Sequence, residues 1–130
     1  MSNSEIRKNR SRGGVEAITF DKDGSVVDYR MVLDGTTANC GGGRTPWGAW
    51  ISCEEVNRGQ LYQVDPAGQI HPNGPITLGS DGSFFESFAY DVRNPLVPHF
   101  FVTEDRRNGA LQRFAPSDPD WSNPLNILYG

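Results

Sequence analysis

Hydrophobic and polar residues alternate over short stretches of this chain, a pattern typical of β-strands rather than helices. Residues 17–33 (AITFDKDGSVVDYRMVL) have apolar positions on both sides of a DKDG turn, which predicts a hairpin. Residues 59–70 (GQLYQVDPAGQI) repeat the design around DPAG, and residues 99–114 (HFFVTEDRRNGALQRF) repeat it around Asn-Gly. The chain is therefore predicted to contain three hairpin-like units.

These units begin roughly 40 residues apart, a spacing that suggests the blades of a β-propeller. Propellers close with about four to eight blades, so two or three blades would leave sheet edges uncovered. We therefore predict an all-β fold in which antiparallel hairpins form two to three blades of an incomplete propeller. The predicted division is a mobile polar lead-in over residues 1–13 and a partial propeller domain over residues 14–130.

Composition agrees with a loop-rich β protein, since the 130 residues include 15 glycines and 9 prolines. The formal net charge of -4 leaves no basic stripe for nucleic acid. The sequence contains no run of 18 apolar residues, so no transmembrane segment is predicted. The amino terminus also lacks the apolar region of a secretory signal. An acidic protein of this kind would need cations to handle a phosphorylated substrate.

Residues 36–55 (TTANCGGGRTPWGAWISCEE) concentrate both cysteines and two of the three tryptophans, and this density predicts a site. Cys40 precedes three glycines, which allow the backbone to approach a ligand or metal closely. Cys53 ends an apolar run typical of a buried strand, where cysteine behaves as a small hydrophobe. Three interpretations stay open: a Cys40–Cys53 disulfide, two inert thiols, or a ligand role for Cys40.

Carboxylates occur in three clusters. Glu54 and Glu55 come directly after the apolar run, and strand alternation lets at most one of them face a given site unless the strand has just ended. Glu86 lies among phenylalanines, where a buried carboxylate needs a metal or a hydrogen-bond donor; the alternative is that it points to water. Glu104 and Asp105 end an aromatic strand, and their alternative is a solvated turn. Each group is a candidate metal ligand with a plainer structural interpretation.

Other chemistries are disfavoured by spacing. His71 and His99 each adjoin a proline and show no paired spacing, which argues against a histidine-rich zinc site. The DKDG turn lacks the glutamate of an EF-hand loop, because position 30 is Arg30, so a plain turn is predicted. No G-x-S-x-G elbow supports serine catalysis. Carboxylates with one thiolate instead suit calcium, with iron as the partner of the sulfur.

The motifs GTTANCGGGRTPWGAWISCEE, GQLYQVDP, FFESFAYD and FFVTEDRRNGALQRF resemble the corresponding motifs of PhoX-type alkaline phosphatases. The resemblance extends from about Gly13 to the carboxyl end. It implies a six-bladed β-propeller whose iron and calcium ions support hydrolysis of phosphate monoesters, a metal-assisted reaction that answers the charge problem above. It also implies a periplasmic or secreted location.

The resemblance implies site residues position by position. Cys40 corresponds to the iron-binding cysteine, and the glutamate of the FFES motif follows Phe85 where the family normally has histidine. The implied metal ligands are Cys40, Glu54, Glu55, Glu86, Glu104 and Asp105. Further ligands and a phosphate-contacting arginine would lie beyond Gly130, so the chain is expected to be an amino-terminal portion that lacks the remaining blades and is inactive alone.

Two other classes of function remain open at this stage. One is a binding or structural propeller that kept the metal-holding carboxylates without catalysis. The other is a calcium-binding adhesion-type module in which Cys40 and Cys53 form a disulfide.

Overall fold

The computed structural model describes residues 13–67, 74–79 and 81–129. Residues 1–12 of the lead-in predicted over residues 1–13 lie outside this part of the chain, as do the predicted strand end at residue 70 and His71, whereas Gly13 begins the first strand. Within the described residues the fold is all-β, as predicted, with three antiparallel sheets and a short 3-10 helix. No helix among the described residues is long and apolar enough to cross a membrane.

The first sheet is the predicted hairpin, formed by β1 (Gly13–Phe20) and β2 (Val26–Thr36). Its turn is held by the Asp21 carboxylate, which accepts hydrogen bonds from the backbone N–H groups of Asp23 and Ser25, both at 2.9 Å. The DKDG residues therefore form an Asx-type turn, as predicted.

The outward face of this hairpin is apolar and exposed. The large hydrophobic residues that lie on or next to it and are half or more exposed are Ile18, Phe20, Val26, Val27, Tyr29 and Met31. The hairpin is tied to the second sheet by Arg30, whose Nη2 donates to the Pro66 carbonyl oxygen at 2.9 Å.

The second sheet contains β3 (Asn39–Arg44), β4 (Trp50–Glu54), β5 (Leu61–Val64) and β6 (Pro75–Ile76), in that spatial order. Strand β4 is buried from Ile51 to Glu54, which confirms the prediction from its apolar sequence. Because β5 is flanked by β4 and β6, the sheet is a four-stranded antiparallel meander.

The third sheet is a three-stranded meander of β7 (Phe85–Asp91), β8 (His99–Glu104) and β9 (Leu111–Phe114). Its second turn is the predicted Asn-Gly turn, in which Asn108 has a φ of 62°. The 3-10 helix, Pro124–Tyr129, follows it.

The core lies between the second and third sheets. Phe100 is fully buried at its centre, and its ring centroid is 5.9 Å from that of Phe88, 5.5 Å from that of Phe114 and 6.0 Å from that of Trp47. Strand β3 packs beside β7, so the first strands of the two sheets are neighbours. The described residues form no closed ring of sheets, and the propeller and its blades therefore remain a prediction.

Candidate functional site

The three glycines of β3 let this strand lie directly against backbone on two sides. A Cβ atom on Gly41 would lie 2.5 Å from the Glu86 carbonyl oxygen, and one on Gly43 would lie 2.1 Å from that of Phe88. A Cβ atom on Gly42, on the other side, would lie 1.9 Å from a carbonyl oxygen of β4. The glycine run was expected to make room for a ligand or metal; here it makes room for the neighbouring strands.

This packing brings two candidate ligands to the same place. Cys40 lies where the pairing of β3 with β4 shifts register, between Asn39 and Gly42. Glu86 lies at the equivalent shift between β7 and β8, next to Phe85. β-Bulges re-aim a side chain out of the regular alternation and are frequent next to active sites. Two adjacent strands therefore each present a potential ligand from a bulge.

Glu55 completes the group from the end of β4. The Cys40 thiol donates a hydrogen bond to the Glu55 carboxylate, which raises the pKa of Cys40, and the negative charge of Glu86 acts in the same direction. The Glu55 backbone N–H donates to the Ala38 carbonyl oxygen at 3.0 Å, and Glu55 also bridges to Phe84 just before β7. The backbone segments that carry Cys40, Glu55 and Glu86 are thus neighbours.

The two cysteines are not equivalent. Both are free thiols in the structure, Cys40 exposed and Cys53 buried, so the expected alternative of a disulfide between them is wrong for this state. Burial raises the pKa of Cys53 to about 12. Cys53 is an inert core residue, whereas Cys40 is available to a ligand.

Glu54 has a different environment from its neighbour. Its carboxylate accepts hydrogen bonds from the backbone N–H of Thr37 at 2.7 Å and of Gln60 at 3.0 Å. Glu54 is only 6% exposed. Both of its oxygens are therefore engaged by backbone groups, and the structure does not bring it to Cys40.

Glu104 is likewise engaged in hydrogen bonds within its own hairpin. Its oxygens accept from the Ala110 N–H at 3.1 Å, from Arg106 Nε at 3.1 Å and from Gln112 Nε2 at 2.6 Å. Asp105 is exposed, and its backbone N–H donates to the Phe84 carbonyl oxygen at 2.9 Å. Neither side chain is shown in contact with the group around Cys40.

Among the residues that the structure describes, no three His, Cys, Asp or Glu side chains converge closely enough to enclose a metal ion. The group formed by Cys40, Glu55 and Glu86 has the right chemistry for part of such a centre, because carboxylates suit calcium and a thiolate suits iron. It supplies too few donors to fill the coordination shell of calcium, which takes about six to eight oxygens.

An internal repeat was missed by the sequence reading. Glu104 and Asp105 lie 50 positions after Glu54 and Glu55, and in each case a glycine follows five positions after the first glutamate. The acidic pair with its glycine at a fixed distance was the available signal. Eight of the eleven paired positions in residues 54–64 and 104–114 differ in side chain, which makes the repeat hard to detect in sequence.

Comparison with known proteins supports one relationship. The profile of the family described as Alkaline phosphatase PhoX matches residues 12–74 of this chain. The resemblance drawn from the motifs is thereby confirmed over a segment that includes Cys40, Glu54 and Glu55, whereas Glu86, Glu104 and Asp105 lie outside it. No curated protein and no solved structure was found to match the chain.

Proposed function

We propose that this chain is part of a metal-dependent phosphatase that hydrolyses phosphate monoesters with an iron and calcium centre. The observation that carries the proposal is the close approach of the backbone segments that carry Cys40, Glu55 and Glu86, with Cys40 and Glu55 inside the segment matched by the PhoX family. The second and third sheets would be two blades of a propeller, with β3 and β7 as their innermost strands.

In this proposal the chain's own residues hold the centre and shape its surroundings. Cys40 and Glu86 would bind from the two bulges, and Glu55 would bind from the end of β4. The metal ions would supply positive charge that offsets the charge of the phosphate and of these carboxylates. The remaining donors would come from residues beyond the described part of the chain, so the chain by itself is expected to show no phosphatase turnover.

The proposal is tested first by metal binding to the product of the complete gene, because this chain alone is expected to bind iron poorly. Iron bound by the Cys40 thiolate should give visible absorption that is lost in Cys40→Ser. Cys53→Ser is the matched control, because Cys53 is buried in the core; it should keep the band and lose stability of about 1 kcal/mol or more, since it places a hydroxyl in an apolar site. Equal loss of iron in both variants would contradict the assignment.

Activity is tested on the product of the complete gene, with a chromogenic phosphate monoester and both metals supplied. We expect turnover that Cys40→Ser and Glu55→Gln abolish and that Asp23→Asn, a change in the exposed β1–β2 turn, leaves intact. Metal binding without turnover would favour a non-catalytic metal-binding protein instead. Calcium binding without iron, together with an oxidised Cys40, would favour the adhesion-type module.

A further inference from the structure

The hairpins β4–β5 and β8–β9 repeat one another in backbone geometry. The Glu54 N–H donates to the Gln60 carbonyl oxygen at 3.0 Å, and the Glu104 N–H donates to that of Ala110 at 3.0 Å. In both turns the glycine N–H donates to the carbonyl oxygen of the residue three positions earlier, at 2.8 Å, and the residue before the glycine has a φ of 62°. The two turns are therefore the same structure built from different sequences.

The glutamate side chain repeats as well. In each hairpin the glutamate contacts one residue across the turn twice, through its backbone N–H and through its carboxylate. The Glu54 carboxylate accepts from the Gln60 N–H at 3.0 Å, and the Glu104 carboxylate accepts from the Ala110 N–H at 3.1 Å. Glu54 also accepts from Thr37, which leads into β3. The Glu104 side chain is 3% exposed, and Glu54 is 6% exposed. Buried carboxylates satisfied in this way hold the backbone in one conformation.

The acidic residues after the two glutamates also make equivalent hydrogen bonds. The Glu55 N–H donates to the carbonyl oxygen of Ala38, two residues before Cys40, at 3.0 Å. The Asp105 N–H donates to that of Phe84, two residues before the bulge residue of β7, at 2.9 Å. Each hairpin therefore sets its second acidic residue against the backbone that leads into a bulge.

We propose that Glu54 is a positioning residue of the candidate metal centre and that Glu104 is its counterpart in the third sheet. Each glutamate fixes its hairpin turn so that the acidic residue next to it, Glu55 or Asp105, stands beside the bulge of the strand paired with it. Glu54 acts through the backbone and does not itself bind metal. The metal-binding role of Glu55 rests on the proposed function, whereas the role of Glu54 in the turn is a property of the metal-free chain.

The first measurement is amide hydrogen exchange in the metal-free chain. Glu54→Gln keeps the shape but replaces one acceptor oxygen with an amide group that cannot accept a hydrogen bond. Exchange of one of the two amides, Thr37 or Gln60, should therefore quicken by about tenfold, the change expected for loss of one buried hydrogen bond, because the remaining oxygen can still accept from the other. Glu55→Gln should leave both amides unchanged. Unchanged exchange in Glu54→Gln would overturn the proposal.

The second measurement is calcium binding, in number of ions and in affinity. Glu54→Gln should keep the number of ions and weaken the affinity, whereas Glu55→Gln should reduce the number. Thr45→Val is the control for a purely structural loss: Thr45 Oγ1 accepts from the Ala49 N–H at 2.9 Å in the turn at the other end of β4, so its removal should destabilise the sheet without changing affinity.

The outcomes separate the two proposals. Loss of one ion in Glu54→Gln, matching Glu55→Gln, would show that Glu54 is a ligand and overturn the positioning role. Equal loss of affinity in Glu54→Gln and Thr45→Val would also overturn it, because general destabilisation would then explain both. A wild-type product of the complete gene that binds neither calcium nor iron would overturn the proposed function, while the exchange measurement would still decide whether Glu54 holds the turn.

Discussion

Replacing Gly43 with alanine tests the packing that places the candidate site. The new Cβ would lie 2.1 Å from the Phe88 carbonyl oxygen, whereas ordinary contacts of this kind begin at 3.4 Å. The obstacle is backbone of β7 rather than a flexible side chain, so β3 and β7 must separate by more than about 1 Å. Overpacking a core costs about 1–3 kcal/mol, and an obstruction by backbone belongs at the upper end.

The net change in the free energy of unfolding follows from two opposing effects. Alanine reduces the freedom of the unfolded chain, which returns about 0.4–1 kcal/mol. We therefore expect Gly43→Ala to lower the free energy of unfolding by about 2–3 kcal/mol. With a urea dependence of about 1–3 kcal/mol per molar, the midpoint of unfolding should fall by about 0.7–3 M.

Gly48→Ala is the matched control in the same sheet. No atom lies within 4 Å of a Cβ at Gly48, but its φ of 88° is unfavourable for alanine, so a loss of about 1 kcal/mol is expected. Urea unfolding of both variants, followed by tryptophan fluorescence, measures the difference. If Gly43→Ala were no more destabilised than Gly48→Ala, then β3 would not lie against β7, and the placement of Cys40 beside Glu86 would be refuted.

Two further predictions concern single side chains. In the folded chain a disulfide reagent at pH 8 should label Cys40 alone, because Cys53 is buried and its pKa is about 12; labelling of two thiols before unfolding would contradict this. Hydrogen bonds from Arg93 lower the pKa of Asp91 to about 2, below its ordinary 3.8, so this pair stabilises the fold above about pH 4 and loses that contribution as the pH falls towards 2. An NMR titration should show the low pKa of Asp91 in the wild type and a higher pKa in Arg93→Ala, which removes the guanidinium but keeps the backbone hydrogen bond; the same pKa in both would contradict the pairing.

The turns and the strand classes could be predicted because their causes are local. Asp21 and the glycine of its turn specify the first hairpin through bonds within five residues. The apolar run before Cys53 required burial on its own account, and β4 is buried. Alternation within a strand and the preferences of turn residues are readable in sequence because they depend on neighbours along the chain.

The roles of the carboxylates could not be predicted because they depend on distant contacts. Alternation indicated that one of Glu54 and Glu55 faces a site, but the choice between them depends on the Thr37 and Gln60 amides, which reach Glu54 only in the folded sheet. The position of Glu86 beside Cys40 depends on the packing of two different sheets. The sequence could therefore supply the candidates but not their arrangement.

The glycine run shows why stability and binding must be separated in this site. The glycines were expected to let the backbone approach a metal closely, but the backbone of the neighbouring strands lies against each of them. Because β3 lies between β4 and β7, the exposed Cys40 thiol reaches Glu55. A glycine substitution would then weaken metal binding only by loosening the sheets, whereas Glu55→Gln would weaken it in a chain that stays folded. Metal affinity that falls in proportion to stability across the glycine variants, and independently of stability in Glu55→Gln, is the pattern that this arrangement requires.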